Sequence, residues 1–359
     1  MKALIAMSGG VDSSVAALLM VQAGYECAGA TMKLFDNEDV GLPRAHSCCS
    51  LDDVEDARAV AYSLGMRHYV FNFSDRFKET VIDDFVSCYE NGMTPNPCIN
   101  CNRFLKFTTL FNRMRELGMD LVVTGHYARV IYDEERGRYL LKKAADESKD
   151  QSYVLYSLTQ EQLAHVKFPL GDYHKSETRR IAEENGFINA AKPDSQDICF
   201  VQNGSYADFI NQYTGRLPEP GNFVDMNGNV IGRHKGVICY TVGQRKGLGI
   251  SAAEPLYVVR IDPEKNEVVL GSDGDLFHKS LIADDVNWIL DEELTEPVRV
   301  SAKIRYKHKE QPATVYPCGR GKIKVVFDEP VRAITKGQAA VLYVSDIVAG
   351  GGTIREILD

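Results

Sequence analysis

Close to the N-terminus, Ser8-Gly9-Gly10-Val11-Asp12-Ser13-Ser14 joins the apolar run Ala3-Leu4-Ile5-Ala6-Met7 to the stretch Val15-Ala16-Ala17-Leu18-Leu19-Met20. That order reads as strand, glycine turn, helix. Two adjacent glycines let the backbone take positive φ and leave no side chain in the way, so several N–H groups can converge on an anion beside a helix N-terminus. The turn lacks a GK[ST] ending and brings no lysine of its own to terminal phosphates; Asp12 points to a magnesium ion that shares the charge. The alternative is a strand-to-helix turn capped by Ser or Asp, with no ligand.

A second chemistry comes from sulfur. Thr94-Pro95-Asn96-Pro97-Cys98-Ile99-Asn100-Cys101-Asn102 sets a CxxC in a proline-rich loop just ahead of a helix expected from about Asn102. A thiol at a helix N-terminus is acidified by the dipole and by unpaired N–H groups, which marks Cys101 as a nucleophile. Asp194-Ser195-Gln196-Asp197-Ile198-Cys199-Phe200 places another cysteine after a polar turn. Cys27, Cys88, Cys239 and Cys318 read as small buried fillers. The adjacent pair Cys48-Cys49 reads either as a landing point for sulfur or as inert neighbours of a helix cap, the latter favoured slightly; a vicinal disulfide would be strained.

The elements that must position these groups follow from periodicity. To about residue 200, strand and helix signals alternate, as in a parallel sheet covered on both faces. Tyr25 to Lys33 and His68 to Phe73 read as strands. Ser50-Leu51-Asp52-Asp53 opens an amphipathic helix through Leu64, ended by Gly65. A helix from Asp75 to Glu90 leads into the proline loop, and another runs from Asn102 to Gly118. Leu121 to Thr124 is a buried strand that delivers Gly125-His126-Tyr127, and a hairpin turning at Arg136-Gly137 follows. After about residue 203, glycine-rich turns separate short strands: Val237 to Val242, Leu256 to Ile261 and Glu267 to Leu270. From about 280, Val298 to Tyr306, Ala313 to Tyr316, Lys322 to Phe327 and Ala339 to Val344 read as an antiparallel barrel or sandwich. The expected fold class is therefore α/β, in three parts: a parallel-sheet nucleotide and catalytic domain over 1–203, a small mainly β domain over 204–278 and a β-barrel over 279–359.

Composition narrows the setting. The 359 residues are 44% apolar and 25% charged, with nine cysteines, too dilute for a disulfide scaffold. No apolar segment reaches membrane-spanning length and no leader precedes the first strand, so a cytoplasmic protein without a membrane partner is expected. The net charge of −9 argues against a general affinity for polyanions. Basic residues are nonetheless gathered in Arg299 to Lys309, where Arg299, Lys303, Arg305, Lys307 and Lys309 alternate with Val300, Ala302, Ile304 and Tyr306. A strand there would carry one basic and one apolar face, serving either a polyanion or solvent.

The glycine turn resembles the PP-loop of the ATP pyrophosphatases, which cut ATP between the α and β phosphates, place AMP on a substrate oxygen and release pyrophosphate. TPNPxxxCN, TGHYAR (124 to 129), KDQSYVLY (149 to 156), DSQDICF (194 to 200), YTVGQRKGLGI (240 to 250) and KIRY (303 to 306) occur in the order found in one branch of that family, the tRNA 2-thiouridylases. The resemblance implies that Ala6, Met7, Ser8, Gly9, Gly10, Val11, Asp12, Ser13, Met32 and Gly125 bind ATP, with Mg2+. It implies that Asn96, Pro97 and Cys98 approach the target uridine, that Cys101 is the nucleophile, and that Cys199 receives sulfur as a persulfide. It further implies that His126, Lys149, Asp150, Gln151, Arg305, Tyr306 and Gln338 contact tRNA. The partners it implies are tRNAs for Lys, Glu and Gln, and a sulfur donor such as a cysteine desulfurase or a sulfur-relay protein.

One position departs from the family pattern, which more often has Asp where this chain has Cys98. Cys98, Cys101 and Cys199 could then hold an iron–sulfur cluster, an alternative to a persulfide relay. Two competing activities remain: another PP-loop synthetase, using ammonia for example, and a nucleotide-binding protein without turnover. Paired reactive cysteines and the C-terminal basic segment weigh against the first, and tRNA-dependent release of pyrophosphate separates off the second.

Overall fold

The computed structural model describes residues 1–35, 51–194, 198–201 and 205–358. The expected helix start at Ser50, the Cys48-Cys49 pair and Ser195 to Asp197 lie outside the described residues.

Strands β1 (Lys2–Ala6), β2 (Glu26–Lys33), β3 (Arg67–Asn72) and β4 (Leu121–Val123) are followed by a hairpin, β5 (Arg129–Asp133) and β6 (Arg138–Lys142), and by the short β7 (Val166–Lys167). β3, β2, β1, β4 and β7 lie side by side in that order, all parallel. Alternate residues of the central β1 feed two cores. Ala3 and Ile5 pack with Val15, Ala57 and Val60 of the helices α1 (Val11–Gln22) and α2 (Leu51–Ser63), while Leu4 and Ala6 join Phe77, Phe85, Leu105 and Leu110 on the opposite face. The near-continuous apolar character of β1 is thus what a strand covered on both faces requires. Strand order reverses between β1 and β4, and the glycine turn leaves the carboxyl end of β1, where such sheets open a crevice.

The helix after the proline loop begins earlier than the sequence reading places it. Asn96 caps it by accepting from Cys98 N at 3.2 Å, and Pro97 takes the first helical position, where its missing N–H costs nothing. Cys98, not Cys101, therefore occupies the first turn. Cys101 opens a nine-residue π-helical run, Cys101–Thr109, before α-helix resumes over Leu110–Glu116. Thr108 and Thr109 donate their hydroxyls to the carbonyls of Arg103 and Phe104, five residues back, at 2.7 and 2.8 Å. Widened helices of this kind recur at functional sites.

The central strands β8 (Gly221–Val224), β9 (Val230–His234), β10 (Tyr257–Asp262) and β11 (Glu267–Gly271) form one sheet in the order β10, β11, β8, β9. The strand expected over Val237 to Val242 is instead a 3-10 turn, Val237–Cys239. Tyr240 leaves it to pack edge-on against Phe223 and His234, so burying the ring takes precedence over ladder pairing.

The last six strands are β12 (Phe277–Trp288), β13 (Val298–Lys303), β14 (Gln311–Pro317), β15 (Ile323–Arg332), β16 (Ala339–Val344) and β17 (Ile347–Leu358), ordered β12, β15, β14, β13, β16, β17. β12 pairs back on β17 and closes the barrel. β17 also meets β6 through Ile347 and Lys142, which ties the β5–β6 hairpin of the first part to the barrel.

The alternation expected from Arg299 onward holds only to Ile304: Val300, Ala302 and Ile304 are buried and Arg299 is exposed, paired with Asp328. Beyond it the chain turns, His308 N donating to Arg305 O at 3.1 Å. Tyr306 is consequently exposed rather than part of an apolar face. Arg305 turns inward, donating to Val242 O at 3.2 Å, to Ala333 O at 2.7 Å and to Thr335.

Candidate functional site

The glycine turn is built to stay open. Gly10 occupies the cap position of α1, and no side chain closes the helix end. Its first N–H groups are left for another partner, which is not the arrangement of a self-capped turn. Gly9 has φ +75°, and a Cβ there would lie 2.4 Å from the Asp53 carbonyl oxygen of α2, so only glycine fits. Buried Asn189 donates to Gly9 O and to Ser14 Oγ, each at 2.9 Å, and fixes the turn from outside. Ala6, Met7, Val11 and Ser13 are buried around it; Ser8 is exposed. Met32 is half-buried on the neighbouring β2.

Gly125 follows β4 and lies directly against this turn. A Cβ there would sit 2.7 Å from Asp12 C and 2.8 Å from Ser13 N. The TGHYAR motif and the glycine turn are thus packed directly against each other, and Tyr127 adds a bond from its hydroxyl to Asp12 Oδ1 at 2.9 Å.

A lysine does reach this site, although the turn's own sequence supplies none. Lys175, 163 residues along the chain, donates to both carboxylate oxygens of Asp12 at 2.6 and 2.8 Å and pairs with Asp194 at 2.8 Å. An ammonium group therefore stands where a magnesium ion was expected to share Asp12. Asp194 also takes Lys149 at 2.9 Å and Arg179 at 2.8 Å. Burial opposes its charge, but the bonds from Lys175 and Lys149 prevail and bring its pKa down to about 2. On the other side of the turn, Lys192 pairs with Asp53 at 2.8 Å and Asp56 at 2.5 Å. Lys175, Arg179, Asn189 and Lys192 were not singled out from the sequence. One signal was present: a lysine opening the helix Lys175–Glu184 opposes its dipole, which indicates an anionic partner from elsewhere.

On the far side of Gly125 lies the thiol helix. His126 is 7% exposed; its Nδ1 lies 2.7 Å from Thr124 Oγ1, and its Nε2 lies 3.4 Å from Lys106 Nζ. Burial first, and the Lys106 charge second, hold its pKa well below the usual imidazole value. The ring is neutral, with Nε2 accepting from the ammonium and Nδ1–H donating to Thr124. Cys98 keeps an exposed surface, yet crowding by surrounding protein raises its thiol pKa, against the pull of Lys106. Cys101 and Cys199 are half-buried against the same apolar core. Among the described residues, no three of His, Cys, Asp and Glu are gathered to hold a single metal ion. Burial pushes Cys27 up to about 11 and Cys88 up to about 12, and these thiols are poor nucleophiles.

The residues expected to touch RNA are largely engaged with the protein. Gln151 Oε1 accepts from Tyr127 N at 3.0 Å. Asp150 accepts from Ala144 N at 3.0 Å and from Ser152 Oγ at 2.8 Å. Tyr306 donates to Asp150 O at 3.1 Å, and Gln338 donates to the carbonyls of Thr94 and Pro95. Asn96 is half-buried and Pro97 buried at the start of the thiol helix.

Three family models match the chain: the tRNA methyl transferase HUP domain over residues 1–203, the tRNA methyl transferase PRC-barrel domain over 207–272 and the aminomethyltransferase beta-barrel domain over 278–354. Full-length relatives are closer. The tRNA-specific 2-thiouridylase MnmA of Clostridioides difficile (strain 630) is 53% identical over 357 residues, 99% of each chain. That of Acetivibrio thermocellus is 51% identical over 355 residues, again 99% of each, and that of Halothermothrix orenii 48% over 355, 99% of each.

Proposed function

This chain belongs to the tRNA-specific 2-thiouridylase family, and on that footing we propose that it activates the C2 oxygen of a tRNA wobble uridine with ATP and replaces that oxygen with sulfur. The domain models carry a methyl-transfer description, whereas the relatives that match from end to end carry a thiolation one, and it is the whole chain that must be explained. One observation carries the reading at the level of the site. The consecutive residues Gly125 and His126 touch the glycine turn and the Lys106 side of the thiol helix respectively, so a nucleotide and a thiol serve one crevice.

ATP lies with its phosphates on the N–H groups of residues 9–13. Magnesium, when bound, supplies charge neutralisation at the phosphates; Asp12 is the carboxylate that would hold it, once Lys175 gives up part of its bond. The uracil O2 attacks the α phosphate, pyrophosphate leaves, and the oxygen becomes part of a phosphate ester that sulfur can displace. In one route the Cys101 thiolate attacks the Cys199 persulfide, releasing hydrogen sulfide and leaving a disulfide; hydrogen sulfide then adds at C2 and AMP departs. In the other, the outer sulfur of the persulfide attacks C2 and AMP departs; the Cys101 thiolate then attacks Cys199 Sγ and breaks its bond to the sulfur on C2, leaving the same disulfide and the thiolated base. A cellular dithiol reduces the disulfide after either route. No step is routed through an iron–sulfur cluster, because the relay needs only Cys101 and Cys199.

The partners in this reading are tRNAs for Lys, Glu and Gln and a persulfide donor such as a cysteine desulfurase or a relay protein, and the setting is the cytoplasm. Among the described residues no helix is long and apolar enough to cross a membrane. The domain division is 1–203, 204–278 and 279–359, with the first part carrying the chemistry. The test is mass spectrometry of tRNA nucleosides after incubation with ATP and a persulfide source. Cys101→Ser should lose 2-thiouridine while retaining tRNA-dependent pyrophosphate release. Normal thiolation by that variant would overturn the nucleophile assignment, and absence of tRNA-dependent pyrophosphate release from the unaltered protein would overturn the whole reading.

A further inference from the structure

The loop that leads into the thiol helix is held from the barrel as well as from its own domain. Gln338, just ahead of β16, donates its Nε2 to Thr94 O at 2.9 Å and to Pro95 O at 3.1 Å. Thr94 N returns a bond to Lys336 O at 2.9 Å. Pro95 and Pro97 contribute no N–H groups, so this segment has little backbone ladder of its own, and the side-chain amide of Gln338 satisfies carbonyls that the loop cannot. Gln338 is itself fixed, since Ile354 N of β17 donates to its carbonyl at 2.8 Å. Farther along the helix, Arg103, two residues past Cys101, forms a two-pronged pair with Asp285 of β12. Asp285 sits at φ +50°, where the pairing of β12 with β17 shifts register between Asp284 and Asn287. The barrel thus grips the segment from Thr94 to Arg103 on both sides of the CxxC.

We propose that Gln338 is a positioning residue for the sulfur chemistry: by holding the Thr94 and Pro95 carbonyls it fixes Asn96 as the helix cap, and through that cap the orientation of Cys98 and Cys101. The cap is a single bond, Asn96 Oδ1 to Cys98 N, and Asn96 keeps it in an extended conformation with φ −116° and ψ 93°. Releasing the two carbonyls behind it leaves the first turn to fray, and Cys98 is the thiol in that turn. This gives Gln338 a task in the protein itself, different from the RNA contact implied by resemblance. It rests on the reading of Cys101 as the nucleophile for its effect on turnover, but not for its effect on the loop.

The experiment uses the full chain with Gln338→Leu, which keeps bulk and removes both donors. Three quantities are read: alkylation rates of Cys98 and Cys101 by iodoacetamide without tRNA, resolved by peptide mass spectrometry across pH; the dissociation constant for tRNA; and kcat and KM for thiolation. The proposal expects the Cys98 alkylation rate without tRNA to change by about fivefold, the scale on which one net hydrogen bond shifts a local equilibrium. It expects kcat to fall while KM and the tRNA dissociation constant stay at their original values. A weaker tRNA affinity with unaltered alkylation would overturn it and return Gln338 to RNA binding. Should Gln338→Leu fail to fold, Gln338→Asn, which keeps the amide but ends one carbon short, carries the same expectations. Thiolation that survives Cys101→Ser would sink the nucleophile reading alone, because the alkylation of Cys98 does not depend on it.

Discussion

Asp194 is the hub of the charges behind the glycine turn, and neutralising it tests whether they hold the nucleotide crevice together. Its carboxylate receives Lys149, Lys175 and Arg179, and its pKa is brought from 3.8 to about 2. Near 1.4 kcal/mol per pKa unit, a shift of nearly two units corresponds to about 2.4 kcal/mol favouring the folded state at neutral pH. The side chain is 21% exposed, and solvent screening trims this to about 1–2 kcal/mol. Because the folded pKa lies below the unfolded one, the contribution is present above pH 3.8 and is lost as pH falls through about 2. Asp194→Asn should therefore lower stability to urea by about 1–2 kcal/mol at pH 7, read from the denaturation midpoint and slope with intrinsic fluorescence. The deficit should persist to about pH 4 and shrink to roughly half by pH 3, because in that range the unfolded carboxylate takes up its proton while the native one stays largely ionised. A variant as stable as the original protein at pH 7, or a deficit that grows on acidification, would refute the reasoning.

Two further substitutions probe the walls of the crevice. Lys175→Met removes the ammonium that lies on both oxygens of Asp12, and tRNA-dependent pyrophosphate release should fall by roughly a hundredfold, the scale for losing one preorganised charge at a reacting phosphate; an unchanged rate would show that Lys175 serves the fold alone. Lys106→Met removes the charge that pulls the Cys98 thiol down, so the pH profile of Cys98 alkylation should move to higher pH, and the His126 pKa, followed by NMR of the ring, should rise; a Cys98 profile that stays in place would show that burial alone sets that thiol.

The glycine turn was legible because its chemistry is local: residues 8–14 carry both the backbone freedom and the helix start. The parallel sheet was legible for the same reason, since strands buried on both faces are written as short apolar runs. The thiol helix starts earlier than the proline-rich loop suggests, because proline at a first helical position begins a helix; that places Cys98 in the first turn and Cys101 deeper. The basic strand was read too long, since nothing in an odd-and-even pattern marks where Arg305 turns inward to three acceptors. Lys175, Arg179, Asn189 and Lys192 come to the turn from more than a hundred residues away, and only the tertiary fold brings such groups together.

The two halves of the crevice are joined by the few residues after β4. Gly125 leaves no room between itself and Asp12, which sets His126 one residue from the glycine turn. His126 is neutral and buried, and it accepts from Lys106, so the cation on the thiol side is held by an uncharged partner rather than cancelled by a carboxylate. That leaves Lys106 able to favour an anion close by, and Cys98 is the group on which its field acts. Beside the glycine turn the arrangement is opposite: Lys175 and Lys149 are each matched to carboxylates, and under the proposed function that side would exchange partners as phosphates arrive. Lys106 thus offsets part of the burial that disfavours a Cys98 thiolate, while the cations beside the glycine turn are held by carboxylates. In the proposed reaction those cations would be freed as phosphates arrive, which suits an adenylated uracil that water would destroy.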